Sequence, residues 1–424
     1  MFDELKGKRL LVLGGTAWAD ILFAFAAEND IQLVTTGKNP NKMFKEYYFV
    51  DSTDHEGMKN LIKEKNIDGV YVGSHEGVIR QATQYLAELG LPCYCTLQQW
   101  DTLMNKRKFK ELCQKFDIPV APKYNWSPDS PCEIQFPVIV KPADGCASVG
   151  IKICHNETDL KEGYQLAYDH SNSHEVLIEK LVNNSGMDVF FQITNSQIKF
   201  CGLGDKYPVQ LAEGAGSVAG ARILPSIYTE DFRARFEDKI KAMFSSVNLT
   251  QGLIWIEVFH DGNDYYFNEV GYRPNGSLTI IGIDYFYGIN TVAADMYFAL
   301  TGKGKAKGFN SLILKPHSND KKKVCEYWIA CHSGTIKEIQ GIDELRAHPN
   351  VLAAFPKYAV ESTIPHTNGF AQNFCVVHFA YDTASELKEV INYIKSTVKV
   401  IDTFDHDMII HKTEDFIRAL LMDN

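Results

Sequence analysis

The sequence lacks the features that mark membrane, secreted and zinc-binding proteins. Its 424 residues contain no uninterrupted apolar run of about 18 residues, so no transmembrane helix is predicted. No apolar run of signal-peptide length precedes Leu10. None of the ten cysteines belongs to a Cys-x-x-Cys pair, which argues against a zinc site and a disulfide framework. Together these absences predict a cytoplasmic protein whose thiols stay reduced.

An excess of basic residues is also missing. The chain has 43 lysines and arginines against 53 acidic residues, for a formal net charge of −10. This balance argues against nucleic acid as a partner, and no membrane partner is expected because no span is predicted. What the chain does have is 45% hydrophobic residues, enough for a globular protein of two or three subdomains.

Strand and helix patterns alternate over residues 1–97. We predict strands at 9–16, 31–35, 69–73 and 91–95, and helices at 17–28, 53–65 and 76–89. This alternation with short loops indicates a parallel, Rossmann-like sheet. The Gly14-Gly15 loop lacks the full G-x-G-x-x-G fingerprint, which argues against NAD. Glu76 follows the third strand, at the sheet edge where such folds bind ligands, so it is a candidate substrate contact.

Two carboxylates in an apolar hairpin are the strongest chemical signal. Glu257 and Glu269 interrupt strands rich in Ile, Val, Phe, Trp and Tyr, and the turn formers 261–264 lie between them. With the turn centred near Asn263, the two acids face each other, and residues 265, 267 and 269 share one face. Facing carboxylates repel each other and are best tolerated with a cation between them, and oxygen ligands suit Mg²⁺ carrying a nucleotide's phosphates. Arg273 follows in a Gly/Pro/Asn loop and can reach an anion held by the metal. A surface hairpin with two solvated acids is the alternative.

A lysine that ends a buried strand, beside a loop of small residues, favours phosphate binding. Strand 136–142 carries Lys141, and the loop Gly145 to Gly150 follows it. The lysine supplies attraction, and small side chains let backbone N–H groups approach phosphate oxygens closely. The segment is not a P-loop, because no G-x-x-x-x-G-K-[ST] precedes a helix. An ordinary hairpin with a flexible tip is the alternative.

Further segments extend the pattern. Lys106 opens an amphipathic helix that ends near Phe116, and strand 175–182 leaves polar residues between hydrophobic ones. A turn at 183–188 leads into the next strand, and such a strand and turn can present backbone groups to a purine while Asp188 holds ribose hydroxyls. The Gly/Lys stretch 301–308 is predicted to be an exposed linker.

Taken in order, these motifs resemble the ATP-grasp superfamily, and within it the L-amino-acid ligase-like, carboxylate–amine branch. The motifs are Lys106, Lys141 with its loop, Glu179-Lys180-Leu181-Val182, and Glu257, Glu269 and Arg273. The resemblance covers residues 1–300 and the rest more loosely. It implies a multidomain protein of α/β and α+β type. A Rossmann-like domain at 1–97 precedes an ATP-grasp domain at 98–300, with a mobile lid at about 118–180. A mixed α/β C-terminal domain at 309–424 completes the substrate pocket.

The resemblance also implies ATP and Mg²⁺ as cofactors, with Mn²⁺ as an alternative metal. The residues that it assigns to ATP are Lys106, Lys141, Gly145, Ser148, Glu179, Lys180, Leu181, Val182 and Asp188. Glu257 and Glu269 would bind the metal, and Arg273 and Lys141 would act on the transferred phosphoryl group. Two positions depart from the family pattern: Asp188 stands where a glutamate is usual, and Gly271 stands where many members carry a metal-binding asparagine, which Asn275 could replace.

The function implied is ATP-dependent joining of a small carboxylate to an amine through an acyl phosphate, with release of ADP and phosphate. Arg222 and His366 join Glu76 and Asn275 as candidate substrate contacts, although Arg222 could equally be a surface residue. Relatives are often dimers, so a homodimer is considered. One alternative is an ATP-dependent carboxylase or formyl-type ligase that uses bicarbonate or formate, which the Gly-Tyr-Arg-Pro motif at 271–274 supports. The other alternative is a non-catalytic nucleotide-binding protein.

Overall fold

The computed structural model describes residues 2–14, 18–38, 43–144, 149–182, 185–211, 217–305, 307–312, 321–367 and 369–410. These residues form four β-sheets with helices packed around them. No helix within these ranges combines the length and the apolar character needed to cross a membrane.

A parallel sheet of four strands occupies the N-terminal region, as predicted. Its strands, in the spatial order β3-β2-β1-β4, are β1 (Arg9–Val12), β2 (Gln32–Thr36), β3 (Glu46–Tyr48) and β4 (Gly69–Tyr71). The helices of this region are α1 (Ala19–Glu28), α2 (His55–Glu64) and α3 (Glu76–Leu89). Strand β3 was not predicted. Only three of its residues pair at this edge of the sheet, and so short a strand gives no clear hydrophobic pattern in the sequence.

The predicted strand at 91–95 is wrong. These residues have no strand conformation, and residues of both this segment and β4 line a cavity together with Asp295. Pro92 has no N–H to donate to a neighbouring strand. The hydroxyl of Tyr94 donates instead to the backbone oxygen of Tyr272, at 3.0 Å. The apolar character of the segment therefore reflects burial and not sheet pairing.

A small antiparallel sheet with its own core follows. Helices α4 (Leu97–Leu103) and α5 (Lys106–Lys115) lead to it, and it consists of β5 (Val138–Pro142), β6 (Lys152–Cys154) and β7 (Val176–Lys180), in the order β6-β5-β7, with α6 (Glu157–Asp169) packed on it. Its buried residues are Trp126, Val138, Val140, Cys154, Leu160, Ala167 and Ile178. This unit supplies Lys141 and Glu179 to the candidate site.

An eight-stranded sheet forms the centre of the described structure. Its strands, in the order β12-β11-β8-β9-β10-β13-β17-β15, are β8 (Ser185–Thr194), β9 (Gln197–Gln210), β10 (Ser217–Leu224), β11 (Gln251–His260), β12 (Tyr265–Gly271), β13 (Lys323–Ala330), β15 (Val351–Pro356) and β17 (Asn373–Tyr381). The accompanying helices are α7 (Thr229–Ser246), α8 (Ile280–Tyr287) and α9 (Thr291–Thr301). Because α9 contacts both β4 and β11, it joins the N-terminal sheet to the central one.

The C-terminal segment is divided between two sheets. Strands β13, β15 and β17 extend the central sheet, so this sheet continues across the proposed boundary near residue 300. A smaller sheet and two helices complete the segment: β14 (Gly334–Gln340), β16 (Thr363–Ile364), β18 (Lys399–Asp402), α10 (Ile342–Ala347) and α11 (Ala384–Thr397). Within the stretch 301–308, Gly302, Lys303, Lys307 and Gly308 are exposed, as predicted, whereas the ammonium of Lys305 lies 4.1 Å from the ring centroid of Phe2.

Candidate active site

Strands β11 and β12 form the predicted hairpin, with Glu257 directly opposite Glu269. Regular pairing that continued from the loop 261–264 would bring Asn268 opposite Glu257. A bulge at Asn268 instead inserts one extra residue into β12 and shifts the register, so that Glu269 takes this position. The predicted carboxylate pair is thus confirmed, although the bulge and not the centre of the turn brings the two acids together.

The same bulge changes which residues of β12 share a face. Tyr265 and Phe267 are fully buried on the core side, whereas the Glu269 side chain is 30% exposed on the opposite side. The prediction that 265, 267 and 269 share a face is therefore wrong. The extra residue inverts the period-two alternation, and the hydrophobic pattern alone does not reveal it.

Each carboxylate of the pair is matched by a lysine from another element. Lys206 of β9 forms an ion pair with Glu257, and Lys106, the first residue of α5, lies 2.9 Å from Glu269. The amide nitrogen of Asn268 also donates to Glu257. Burial alone would raise the pKa of Glu257, but Lys206 and Asn268 lower it to about 2. Glu257 is consequently ionised at neutral pH, as a metal ligand must be.

Lys141 connects the small sheet to the hairpin. Its ammonium lies 2.7 Å from the carboxylate of Glu179 and donates to the amide oxygen of Asn268, also at 2.7 Å. Glu179 is buried and pairs with a second lysine, Lys110. Burial, reinforced by Lys141, lowers the pKa of Lys110 to about 7, and Glu179 opposes this shift. Two lysines sharing one acid give the cluster a surplus of positive charge, which suits an anionic ligand.

The residues that follow Glu179 lie at the surface of the small sheet. Lys180 is exposed, and Leu181 and Val182 are half-buried. The backbone N–H of Lys180 donates to the oxygen of Pro122 at 2.9 Å, and that of Leu181 donates to the oxygen of Pro137 at 3.2 Å. The role of this segment in binding adenine stays a prediction.

Asp188 lies beside the carboxylate pair. Strand β8 begins at Ser185, so the predicted turn is wrong in its last residues: Gly186 and Met187 already pair with the neighbouring strands. Asp188 stands opposite Glu257 in the register of β8 and β11. Its carboxylate is buried and pairs with Arg222, and Lys206 lies 3.4 Å away. A ribose contact for Asp188 stays a prediction.

Arg222 is the centre of a buried hydrogen-bond network, so the alternative of a surface residue is wrong. Its guanidinium pairs with Asp188 and with Glu326 of β13, and it donates to the hydroxyls of Ser277 and Thr279. Burial would lower the pKa of Arg222, but the two acids raise it. Arg222 therefore fixes the loop 273–279 against the central sheet.

Arg273 and Glu76, which the sequence suggested independently, lie in contact. The guanidinium of Arg273 donates to the Glu76 carboxylate from Nη2 at 2.6 Å and from Nε at 3.1 Å. Arg273 also lies over the ring of Trp255, 5.4 Å from its centroid. The same indole covers Gly271, where a Cβ atom would lie 2.2 Å from the ring, so no asparagine fits there without rearrangement.

The remaining predicted residues differ in their surroundings. Both ends of the Asn275 amide bind Thr279, at 2.7 and 3.1 Å, and the amide beside the carboxylate pair is that of Asn268. His366 is exposed. Gly145 and Ser148 lie outside the described residues.

Sequence reasoning missed four residues of this site, namely Lys110, Lys206, Asn268 and Glu326. Lys206 and Glu326 are charged residues within strand segments, which is the signal that identified Glu257. Asn268 carried no such signal, because its position depends on the bulge. Lys110 was one of several lysines on an amphipathic helix, and only its burial distinguishes it.

Comparisons with known proteins identify the fold. The family model "D-ala D-ala ligase C-terminus" matches residues 87–205, and solved structures of ATP-grasp enzymes share the fold over nearly the whole chain. The predicted resemblance is confirmed for the fold: residues 87–205 match a ligase family model, and the chain has the ATP-grasp fold.

Individual relatives are similar to it at low identity. L-amino acid ligase from Bacillus licheniformis superposes with a TM-score of 0.73 at 15% identity, covering 94% of this chain and 99% of that one. Biotin carboxylase from Campylobacter jejuni superposes with a TM-score of 0.74 at 15% identity, and the superposition covers 98% of this chain and 95% of that one. The carbamoyl phosphate synthase large chain of Clostridium botulinum is 22% identical over 312 residues, which cover 66% of this chain and 28% of that relative. The chain thus spans about a quarter of the length of this relative, and the structural likenesses, at such identities, establish the fold alone.

The donor set at the hairpin fits Mg²⁺ with a nucleotide. Two carboxylates face each other in register, an amide lies beside them, and all three offer hard oxygen ligands. Four lysines, at positions 106, 110, 141 and 206, contact these carboxylates or the adjoining Glu179 and Asn268. A cation between the acids would release Lys106 and Lys206 to meet phosphate oxygens.

Proposed function

We propose that this protein is an ATP-dependent ligase that joins a carboxylate to an amine through an acyl phosphate and releases ADP and phosphate. The observation that carries the proposal is the facing pair Glu257 and Glu269 with lysines from separate elements around it. Mg²⁺ held by this pair would neutralise charge that develops on the phosphates. A protein that only bound nucleotide would have no need to maintain two opposed carboxylates, which repel each other.

The reaction has two steps. A carboxylate oxygen forms a bond to the γ-phosphorus of ATP while the bond from that phosphorus to its bridging oxygen breaks, so ADP leaves. The amine nitrogen then bonds to the acyl carbon and loses a proton, and the carbon–oxygen bond breaks, so phosphate leaves. The first step is needed because a free carboxylate has no adequate leaving group.

Three residues have distinct tasks in this scheme. Lys141 stands between Glu179 and Asn268, where it would offset charge on the transferred phosphoryl group. Arg273 would stabilise the acyl phosphate, and Glu76 together with the Trp255 ring orients its guanidinium. Lys106 would contact a phosphate once Glu269 binds the metal.

The test is phosphate release from Mg-ATP across a panel of amino acids and small carboxylic acids, given singly and in pairs. We expect release that requires one particular pair and falls at least about a hundredfold in Glu269→Gln. Glu162→Gln is the matched control, because Glu162 is an exposed partner of Lys152 on the small sheet. ATP that binds without turnover in every combination would contradict the proposal.

A second candidate is an ATP-dependent ligase that takes bicarbonate as its acid. The fold shared with a biotin carboxylase domain bound to bicarbonate and the Arg273-Pro274 motif favour it. Bicarbonate belongs in the same panel: release that needs bicarbonate and no other acid would replace the first proposal with this one.

A further inference from the structure

A row of ionisable side chains crosses one face of the central sheet, from the carboxylate pair to the C-terminal strands. Its members, from β12 to β17, are Glu269, Glu257, Asp188, Lys206, Arg222, Glu326 and His378. Residues that stand opposite each other in paired strands, or two apart on one strand, share a face. The C-terminal strands therefore contribute to the same face as the candidate active site.

Trp328 continues this face, because it lies two residues after Glu326 on β13. The ammonium of Lys357, just past β15, lies 4.7 Å from the Trp328 ring centroid and 3.5 Å from that of Phe370. The two rings meet edge to face, with centroids 5.3 Å apart. Three separate segments thus converge on one ammonium group.

Two donors of this cluster have no acceptor among the described residues. The indole N–H of Trp328 is buried without a partner, and the ammonium of Lys357, which is a half-buried residue, contacts two aromatic rings and no acceptor among the described residues. Buried donors are normally hydrogen-bonded, because leaving one unpaired costs free energy. Burial also lowers the pKa of Lys357 to about 7, which is the expected consequence of a cation without an acidic partner.

The cluster adjoins the loop that carries Arg273. A Cβ atom on Gly276 would lie 3.3 Å from the Phe370 ring. The next residue, Ser277, accepts a hydrogen bond from Arg222 of this row of ionisable side chains. A substrate bound against the loop 273–279 could therefore reach the Lys357 ammonium.

We propose that Lys357, Trp328 and Phe370 form a subsite for a second, unreacted carboxylate of the substrate. This inference rests on the proposed ligase function. Strand β13 is four strand intervals from β11, which is roughly 19 Å at about 4.8 Å per interval, so the carboxylate held here is not the one phosphorylated beside Glu257. One ammonium and one N–H donor match a single carboxylate, whereas a phosphate would call for more cations.

The test measures binding and not turnover, with butyrate, benzoate and their neutral amides as probes in NMR-detected titrations. We expect each carboxylate to bind about tenfold tighter than its amide. Lys357→Met should abolish this preference, Lys357→Arg should keep it, and Trp328→Phe, which removes only the indole N–H, should weaken it several-fold. Lys305→Met is the matched control, because Lys305 also lies over aromatic rings, but at the N-terminal end of the chain.

Each outcome decides the inference separately from the ligase proposal. A carboxylate preference that survives in Lys357→Met, or no preference in the wild-type protein, overturns the subsite even if the ligase activity is found. Loss of the preference in Lys357→Met supports the subsite even if no ligase activity is found. Where a substrate pair is known, Lys357→Met should raise the KM of one substrate about tenfold and leave kcat and the KM of ATP unchanged.

Discussion

At the residue scale, the charged groups of this site are held by partners that differ in kind. Glu257 has Lys206 and an amide, Glu179 has two lysines, and Arg222 has two acids. Lys357 is different, since two aromatic rings lie against its ammonium and none of the acids in the described ranges pairs with it. A half-buried charge without a counter-charge reduces the stability of the fold, and proteins commonly retain such groups for function.

Lys357→Met should therefore stabilise the protein at pH 7 and below. The pKa of Lys357 is about 7 in the folded protein and near its ordinary value in the unfolded chain. Between these two values the unfolded state binds more protons, so the cost of the lysine is greatest below pH 7 and disappears as the pH approaches about 10. We expect Lys357→Met to gain on the order of 1 kcal/mol at pH 6.5, or about 1 °C in Tm for a chain of 424 residues, after the lost cation–π contacts are subtracted.

Thermal unfolding at pH 6.5, 8 and 9.5 checks this. The gain of Lys357→Met over wild type should shrink as the pH rises. Lys357→Arg is the control, because arginine stays charged throughout, so wild type should gain stability relative to it over the same range. A gain in Lys357→Met that does not change with pH would contradict the argument.

At the scale of single elements, helix α5 positions Lys106 from its first turn. The Asn105 side chain caps the helix by accepting from the backbone N–H of Lys108 at 3.0 Å. The backbone N–H of Lys106 donates to Ala143, and its ammonium reaches Glu269. The cap thus fixes the direction in which Lys106 leaves the helix.

Asn105→Ala should cost about 1 kcal/mol of stability and raise the KM of ATP several-fold, because the first turn that carries Lys106 loosens. Asn105→Ser, which keeps a capping oxygen, should restore both quantities. Asn156→Ala is the matched control. The Asn156 side chain caps α6 in the same way, by accepting from the backbone N–H of Asp159 at 3.0 Å, but α6 carries none of the residues predicted to contact ATP. Equal effects of the two alanine variants on the KM of ATP would contradict the link between cap and site.

At the scale of the whole molecule, the central sheet unites segments that are far apart in sequence. Strand β10 pairs with β13, so the C-terminal strands cover an edge that would otherwise be open. Ala221 and Ile223 pack in a core built largely from C-terminal residues, including Tyr327 and Ile329. The C-terminal strands thus support the same sheet that carries the carboxylate pair.

A chain ending at residue 308 should consequently fail to fold stably. Its β10 edge would be exposed, and buried Arg222 would lose Glu326, which costs about 3 kcal/mol or more for a buried ion pair. We expect aggregation, or a circular dichroism spectrum with little native structure. Co-expression of residues 309–424 should restore solubility. A soluble fragment that binds Mg-ADP as tightly as the full chain would show that the segment is independent.

The sequence by itself determined the features that depend on local pattern. Alternation of strands and helices defines the N-terminal sheet, because hydrophobic periodicity follows from the geometry of each element. The carboxylate pair and Lys141 stood out because charged residues interrupt apolar strands. The order of these motifs was enough to identify the ATP-grasp resemblance.

Only the tertiary structure decided which residues meet. Lys206 with Glu257, Arg222 with Glu326 and Glu76 with Arg273 are brought together by strand order and by helix packing, and these contacts leave no local signal in the sequence. The bulge at Asn268 also leaves no local signal in the sequence. One inserted residue changes which side chains of the strand face the core, but it does not change the composition of the strand. The segment 91–95 shows the opposite case, in which a sequence signal is present but the strand is not. Burial alone produces the apolar run that suggested a strand there. Periodicity reports burial, whereas pairing depends on which backbone groups come within hydrogen-bonding distance, and that is a property of the whole fold.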